Sequence, residues 1–128
     1  MARKGAKDKR VVLVTCGSKE EAQRIASAAV GARLAACVNL LDAAVQSTYW
    51  WKGRVETSSE FLLVIKTEAR LLAALQEEIA RLHRYEVPEF IALPIVAGSE
   101  AYLDWLGANL RPSAKSKVKP PRGKSRRT

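Results

Sequence analysis

Apolar positions are densest between Leu34 and Thr67, in two runs that meet at Trp50-Trp51-Lys52-Gly53. The first, Leu34 to Leu41, continues past Asp42 to Tyr49, and the second climbs from Arg54 to Lys66. Neither contains proline, both are rich in β-branched, aromatic and other apolar residues, and Lys52-Gly53 has turn chemistry, so the pair predicts one long β-hairpin. Its second strand, Arg54 to Lys66, has 13 residues. At roughly 3.3 Å per residue that is about 43 Å of extended chain. A compact domain of about 100 residues is only some 34 Å across. The hairpin should overhang its own domain, and an exposed strand edge is normally covered or paired with another chain, so the pattern predicts an assembly element.

The remaining pattern places this hairpin in a βαββαβ order. Val11 to Cys16 is a short continuous apolar run, the mark of a buried strand. Ser18-Lys19-Glu20-Glu21 has the form of a capping box. Ala22, Ile25, Ala26, Ala29 and Val30 follow at helical spacing up to Gly31. After the hairpin, Thr67 is placed to cap a second helix, Glu68–Leu82, with Leu71, Leu72, Leu75, Ile79 and Leu82 as its apolar stripe. Val87-Pro88 breaks that pattern. Phe90 to Ala97 reads as a last strand, which Pro94 marks as an edge or a bulge. Tyr102, Leu103, Trp105 and Leu106 line a short terminal helix. The expected fold is therefore α+β, ferredoxin-like, with both main helices on one face of an antiparallel sheet.

Charge changes the picture only once it is located. The net charge is +9, but residues 1–10 carry five basic residues to one acidic, residues 111–128 eight to none, and residues 11–110 nine to twelve. The body is mildly acidic. The excess sits in two segments poor in large apolar residues, 1–10 and 111–128, read as disordered basic tails around a single domain, 11–110. Such tails attract nucleic acid non-specifically, although a solubilising extension is the plainer reading. No apolar run reaches ~18 residues and no secretory pattern follows the basic start, so no membrane contact is expected. Cys16 and Cys37 lack Cys-x-x-Cys spacing, and with a sheet strand between theirs they lie beyond disulfide reach. Free thiols point to a reducing cytoplasm.

Candidate chemistry is sparse. There is one histidine, His83, and no phosphate loop or Ser-His-Asp set, so an enzyme is not expected. Glu86 and Glu89 flank Pro88 in a loop and read as a polar rim. Cys37, inside an apolar run, reads as a small hydrophobe. Cys16 ends a strand just before a helix N-terminus, where the dipole favours thiolate, so it is a candidate soft-metal ligand beside the plainer packing role. Trp50 and Trp51 should point to opposite faces of the hairpin tip, one of them an interface anchor.

Several separated stretches then resemble the CutA family of divalent-cation tolerance proteins: Arg33-Leu34-Ala35-Ala36-Cys37-Val38-Asn39, Ser47-Thr48-Tyr49-Trp50-Trp51-Lys52-Gly53, Lys66-Thr67, His83 to Glu89, and Gly98 with Tyr102-Leu103-Asp104-Trp105. The resemblance implies a cytoplasmic homotrimer of ferredoxin-like subunits joined through long hairpins, with a role in tolerance of copper and other divalent cations. It implies an inter-subunit cleft, assigned here to Tyr49, Trp51, Lys66, Tyr85, Glu89 and Trp105. For a metal, Cys16 and His83 are the expected ligands, with Glu86 the nearby carboxylate that completes them. Copper or another divalent cation, weakly bound, is the expected ligand, and no cofactor is obligatory. The rival expectation is a small-molecule-sensing trimer of the PII signalling type, whose nucleotide-loop signature is missing from this chain.

Overall fold

The computed structural model describes residues 5–112. Its elements are β1 (Lys9–Cys16), α1 (Lys19–Gly31), β2 (Cys37–Leu40), β3 (Val45–Trp51), β4 (Arg54–Glu68), a 3-10 turn (Ala69–Leu71), α2 (Leu72–Leu82), β5 (Ile91–Pro94) and α3 (Glu100–Ala108). The strands form one antiparallel sheet ordered β2-β4-β1-β5, with β3 also paired to β4. This is the expected α+β arrangement.

The hairpin is longer than expected and its first strand is broken. β4 runs 15 residues, to Glu68. β2 and β3 follow one another along it, the ladder passing from Leu40↔Leu63 to Val45↔Glu60. Residues 41–44 therefore stand opposite only residues 61–62, a bulge that bends the chain where Asp42 reaches Lys19 at 2.6 Å. The slip is even-numbered, so side chains keep their faces across it. At the tip, Lys52 (φ 51°) and Gly53 (φ 79°) both take the left-handed conformation that a two-residue type I′ turn needs. Because β1 pairs with β4 only over Phe61–Glu68, the part of the hairpin before Phe61 projects as two strands, and Trp50 at its end is 73% exposed.

Alternation along the strands builds the core. Val12, Val14 and Cys16 stand opposite Ile65, Leu63 and Phe61, and this face packs on Ala22, Ile25 and Ala29 of α1 and on Leu75 and Ile79 of α2. The alternate positions Val11, Leu13, Leu62, Val64, Ile91 and Leu93 form the opposite face, where none is fully buried.

Three boundaries differ from expectation. Thr67 is not a helix cap: its hydroxyl, fully buried, donates to the Leu34 carbonyl at 2.7 Å. The helix instead starts through the 3-10 turn, whose first N–H, at Ala69, donates to the Asp8 carbonyl at 2.8 Å. The segment 1–10 is not wholly a tail. β1 begins at Lys9, whose ammonium lies buried 2.9 Å from both Glu68 and Asp8, and Ala6 is buried. β5 is shorter than expected and ends at Pro94, on the sheet edge where its missing N–H costs nothing. The expected tail residues 1–4 and 113–128 lie outside the described residues.

Candidate functional site

The end of β1, the start of α1 and the segment after α2 converge on one buried cluster. Ligand atoms of Cys16, Glu21 and His83 lie within 4.8 Å of one another, and all three residues are buried. Local sequence explains the first two. Ser18 caps α1 by accepting from the Glu21 N–H at 3.2 Å, which turns Glu21 back towards the strand end. His83 follows Leu82 as α2 ends, and its own N–H still donates to Ile79 at 2.8 Å.

Glu21 and His83 are already engaged by backbone. Glu21 accepts from Gly17 N–H through Oε1 at 3.3 Å and from Arg84 N–H through Oε2 at 2.7 Å. The capping-box return thus reaches Gly17 rather than Ser18. His83 Nε2 lies 2.7 Å from the Thr15 carbonyl and must donate there. Nδ1 accepts from Tyr85 N–H at 3.1 Å, which sets a neutral Nε2–H tautomer. The expectation of a dipole-activated thiolate at Cys16 is reversed. Burial, then the charges of Glu21 and Glu60, push the thiol up to about 12.

Outside this cluster an open cleft of about 820 Å³ lies between the β3–β4 hairpin and the 84–89 loop. Thr15 and Glu60 alternate with the core residues, so the cleft opens on the sheet face turned away from the two long helices. Tyr49 and Trp51 line one wall and Tyr85 another. The Tyr85 hydroxyl donates to Glu60 Oε2 at 2.6 Å. Tyr85 also packs against His83, ring centroids 4.8 Å apart, and so spans the cleft and the buried cluster. Burial and Glu60 hold the Glu89 carboxyl above its usual range.

The expected site residues therefore divide. Cys16 and His83 come together, but the carboxylate that joins them is Glu21, whereas Glu86 is exposed and lines the cleft. Tyr49, Trp51, Tyr85 and Glu89 share the cleft. Lys66 and Trp105 are not on its lining: Lys66 bonds Asn39, and Trp105 packs on the core beside Tyr102. Glu60, the buried floor of the cleft, escaped the sequence reading, because a polar residue beside Phe61 looked like any solvent-facing strand position.

Comparison with known proteins agrees with this architecture. A family profile described as "CutA1 divalent ion tolerance protein" matches residues 10–109. The chain is 48% identical over 103 residues to "Protein CutA 1, chloroplastic" of Oryza sativa subsp. japonica, across 80% of this chain and 58% of the rice protein, so it spans less than two-thirds of that relative. It is also 48% identical over 99 residues to "Divalent-cation tolerance protein CutA" of Thermus thermophilus, across 77% of this chain and 95% of that one. The crystal structure of CutA1 from Oryza sativa superposes with a TM-score of 0.80 at 46% identity, over 83% of this chain and 96% of that one.

Proposed function

The chain belongs to the CutA1 divalent ion tolerance family, and from that premise we propose that it acts as a cytoplasmic homotrimer that binds a divalent cation, copper foremost, and serves tolerance by binding rather than by catalysis. The observation that carries assembly is the open sheet face. Val11, Leu13, Leu62, Val64, Ile91 and Leu93 make a contiguous apolar surface beside an overhanging hairpin, and a surface of that kind is covered in a stable protein. Trp50 and Trp51 at the hairpin tip supply aromatic anchors for a neighbouring subunit. The free cysteines suit a reducing compartment. No helix among the described residues is long and apolar enough to cross a membrane.

The thiol, imidazole and carboxylate of Cys16, His83 and Glu21 are a donor set suited to copper or zinc, not to magnesium or calcium. The set fits a cation only in competition with the protein. The His83 Nδ1 lone pair must be released from Tyr85 N–H and the Cys16 thiol must lose a proton held up to about 12. Binding should accordingly be weak and strengthen as pH rises. Copper(II) and zinc(II) titration calorimetry on the full chain tests this. Affinity should fall in Cys16→Ser, His83→Ala and Glu21→Gln, and stay unchanged in Glu86→Gln. Equal affinity in all five proteins would refute the site, and light scattering showing a monomer at micromolar concentration would refute the trimer.

A further inference from the structure

Both ring nitrogens of His83 face main-chain partners. Nε2 lies 2.7 Å from the carbonyl of buried Thr15, and Nδ1 accepts the Tyr85 N–H at 3.1 Å. A neutral imidazole has one proton and one acceptor lone pair. A cation that takes Nδ1 removes the acceptor of Tyr85 directly. A cation that takes Nε2 moves the proton to Nδ1, strands the Thr15 carbonyl and again leaves the Tyr85 N–H without its acceptor. Metallation through either nitrogen therefore breaks the bond from Tyr85. Across from Nδ1, at 3.9 Å, stands Glu21 Oε2, which accepts the Arg84 N–H at 2.7 Å. A carboxylate oxygen has a second lone pair, so that contact can be shared, whereas the one at Tyr85 cannot.

The consequence reaches along the segment after α2, because Tyr85 is held at three points. Its N–H bonds His83 Nδ1, its ring packs on the His83 ring at a centroid separation of 4.8 Å, and its hydroxyl donates to Glu60 Oε2 at 2.6 Å. The His83 N–H still donates to Ile79, as in a helix, so Arg84 and Tyr85 are the first amides past α2 whose acceptors are cluster side chains. All these bonds lie within one chain, so the competition holds whatever a neighbouring subunit covers. Two events that need the same lone pair oppose each other equally in both directions. Loosening Tyr85 at its far end, through Glu60, should therefore tighten a cation at His83.

We propose that cation binding at Cys16, Glu21 and His83 and the seated conformation of Tyr85 exclude each other, which makes the segment after α2 a latch that a soft divalent cation releases. This rests on reading the cluster as the metal site, and the test separates the two. Zinc(II) chloride is the probe, on the full chain, with amide hydrogen exchange resolved by residue and affinity taken from calorimetry. Saturating zinc should speed exchange at the Tyr85 amide about tenfold or more, with Arg84 affected less and the amides of β4 unchanged, and EDTA should restore protection. Tyr85→Phe keeps the ring, removes the bond to Glu60 and touches no ligand atom. Without metal it should speed exchange at position 85, and it should raise zinc affinity about fivefold or more. Zinc affinity that falls in Cys16→Ser, beside unchanged exchange at Tyr85 in the zinc-loaded unmutated chain, would leave the metal site standing and overturn the latch. Zinc binding unaffected by both Cys16→Ser and His83→Ala would overturn the site and the latch with it. A zinc affinity in Tyr85→Phe no higher than in the unmutated chain would also overturn the latch. The exchange measurement on the unmutated chain needs no substitution, so it decides the matter even where Tyr85→Phe does not fold.

Discussion

Replacing Glu21 by alanine tests whether the cluster at the end of β1 is the joint that holds the 83–89 segment. The carboxylate bridges Arg84 N–H, at 2.7 Å, and the turn entering α1, where Gly17 N–H lies at 3.3 Å. A hydrogen bond to a charged group is worth about 1.5–3 kcal/mol, so the short Arg84 contact carries most of the loss. The Gly17 contact is long, and Gly17 is exposed enough for water to replace it, so its share is a fraction of that. Together with the small cavity left at a buried position, the expected cost is about 2–4 kcal/mol. Urea unfolding at fixed protein concentration reads it, with exposed Gln23→Ala as a control expected within about 0.5 kcal/mol. Hydrogen exchange adds a local reading, since the Arg84 amide should lose protection well before those of β4. A loss below about 0.5 kcal/mol, with Arg84 still protected, would show that the loop is held by its other contacts and that the joint was misread.

Thr67→Val, nearly isosteric, strands the buried Leu34 carbonyl and should cost about 1–3 kcal/mol in the same unfolding assay. Folded protein at pH 8 should resist iodoacetamide at Cys16, because a thiol near 12 is thiolate only on the order of 10⁻⁴ of the time; half-buried Cys37 should react first, and mass spectrometry of early Cys16 labelling would contradict this. Burial raises Cys16 and Tyr85, and for Lys9 the bonds to Glu68 and Asp8 outweigh the burial that alone would lower it. In all three the folded state holds its proton more tightly than the unfolded chain, so their joint contribution is complete below about pH 9 and is lost progressively above it. A thermal transition that holds steady from pH 9 to 11 would oppose that sign. Removing residues 113–128 deletes seven of the eight basic residues that follow Leu110 and takes the net charge from +9 to +2, so heparin retention should drop while the melting temperature is unchanged.

The element order was readable because it is written in short-range periodicity. A run such as Val12, Val14, Cys16 against Leu13 and Thr15 sorts a strand into two faces, and Ala22, Ile25, Ala29 mark a helix face, without reference to any distant residue. The boundaries that moved depended on distant partners. Thr67 has the local chemistry of a cap, but the Leu34 carbonyl, 33 residues away in sequence, takes its hydroxyl and lets β4 run on to Glu68. Lys9 looked like tail because nothing nearby in sequence announces that Glu68 will bury its ammonium. The break at 41–44 was invisible for a related reason: Leu41, Ala43 and Ala44 are apolar enough to continue a strand, and only pairing against β4 reveals that two residues are extra.

The site follows the same division, with a chemical consequence. The motif Ser18-x-x-Glu21 correctly marked Glu21 as an acceptor for backbone N–H groups at the start of a helix. Its stronger partner, Arg84 N–H, is 63 residues away and becomes visible only when α2 packs beside α1. The Cys16 thiol reversed for that reason too. The helix dipole is a local effect worth a few tenths to about one kcal/mol at an exposed terminus, whereas burial and the two carboxylates of Glu21 and Glu60 arrive through tertiary structure and point the other way. Hence the residues that look most like a soft-metal site in sequence are, once folded, protonated or hydrogen-bonded to the main chain. A cation entering there must unmake the joint between the strand end, the helix start and the Tyr85 loop.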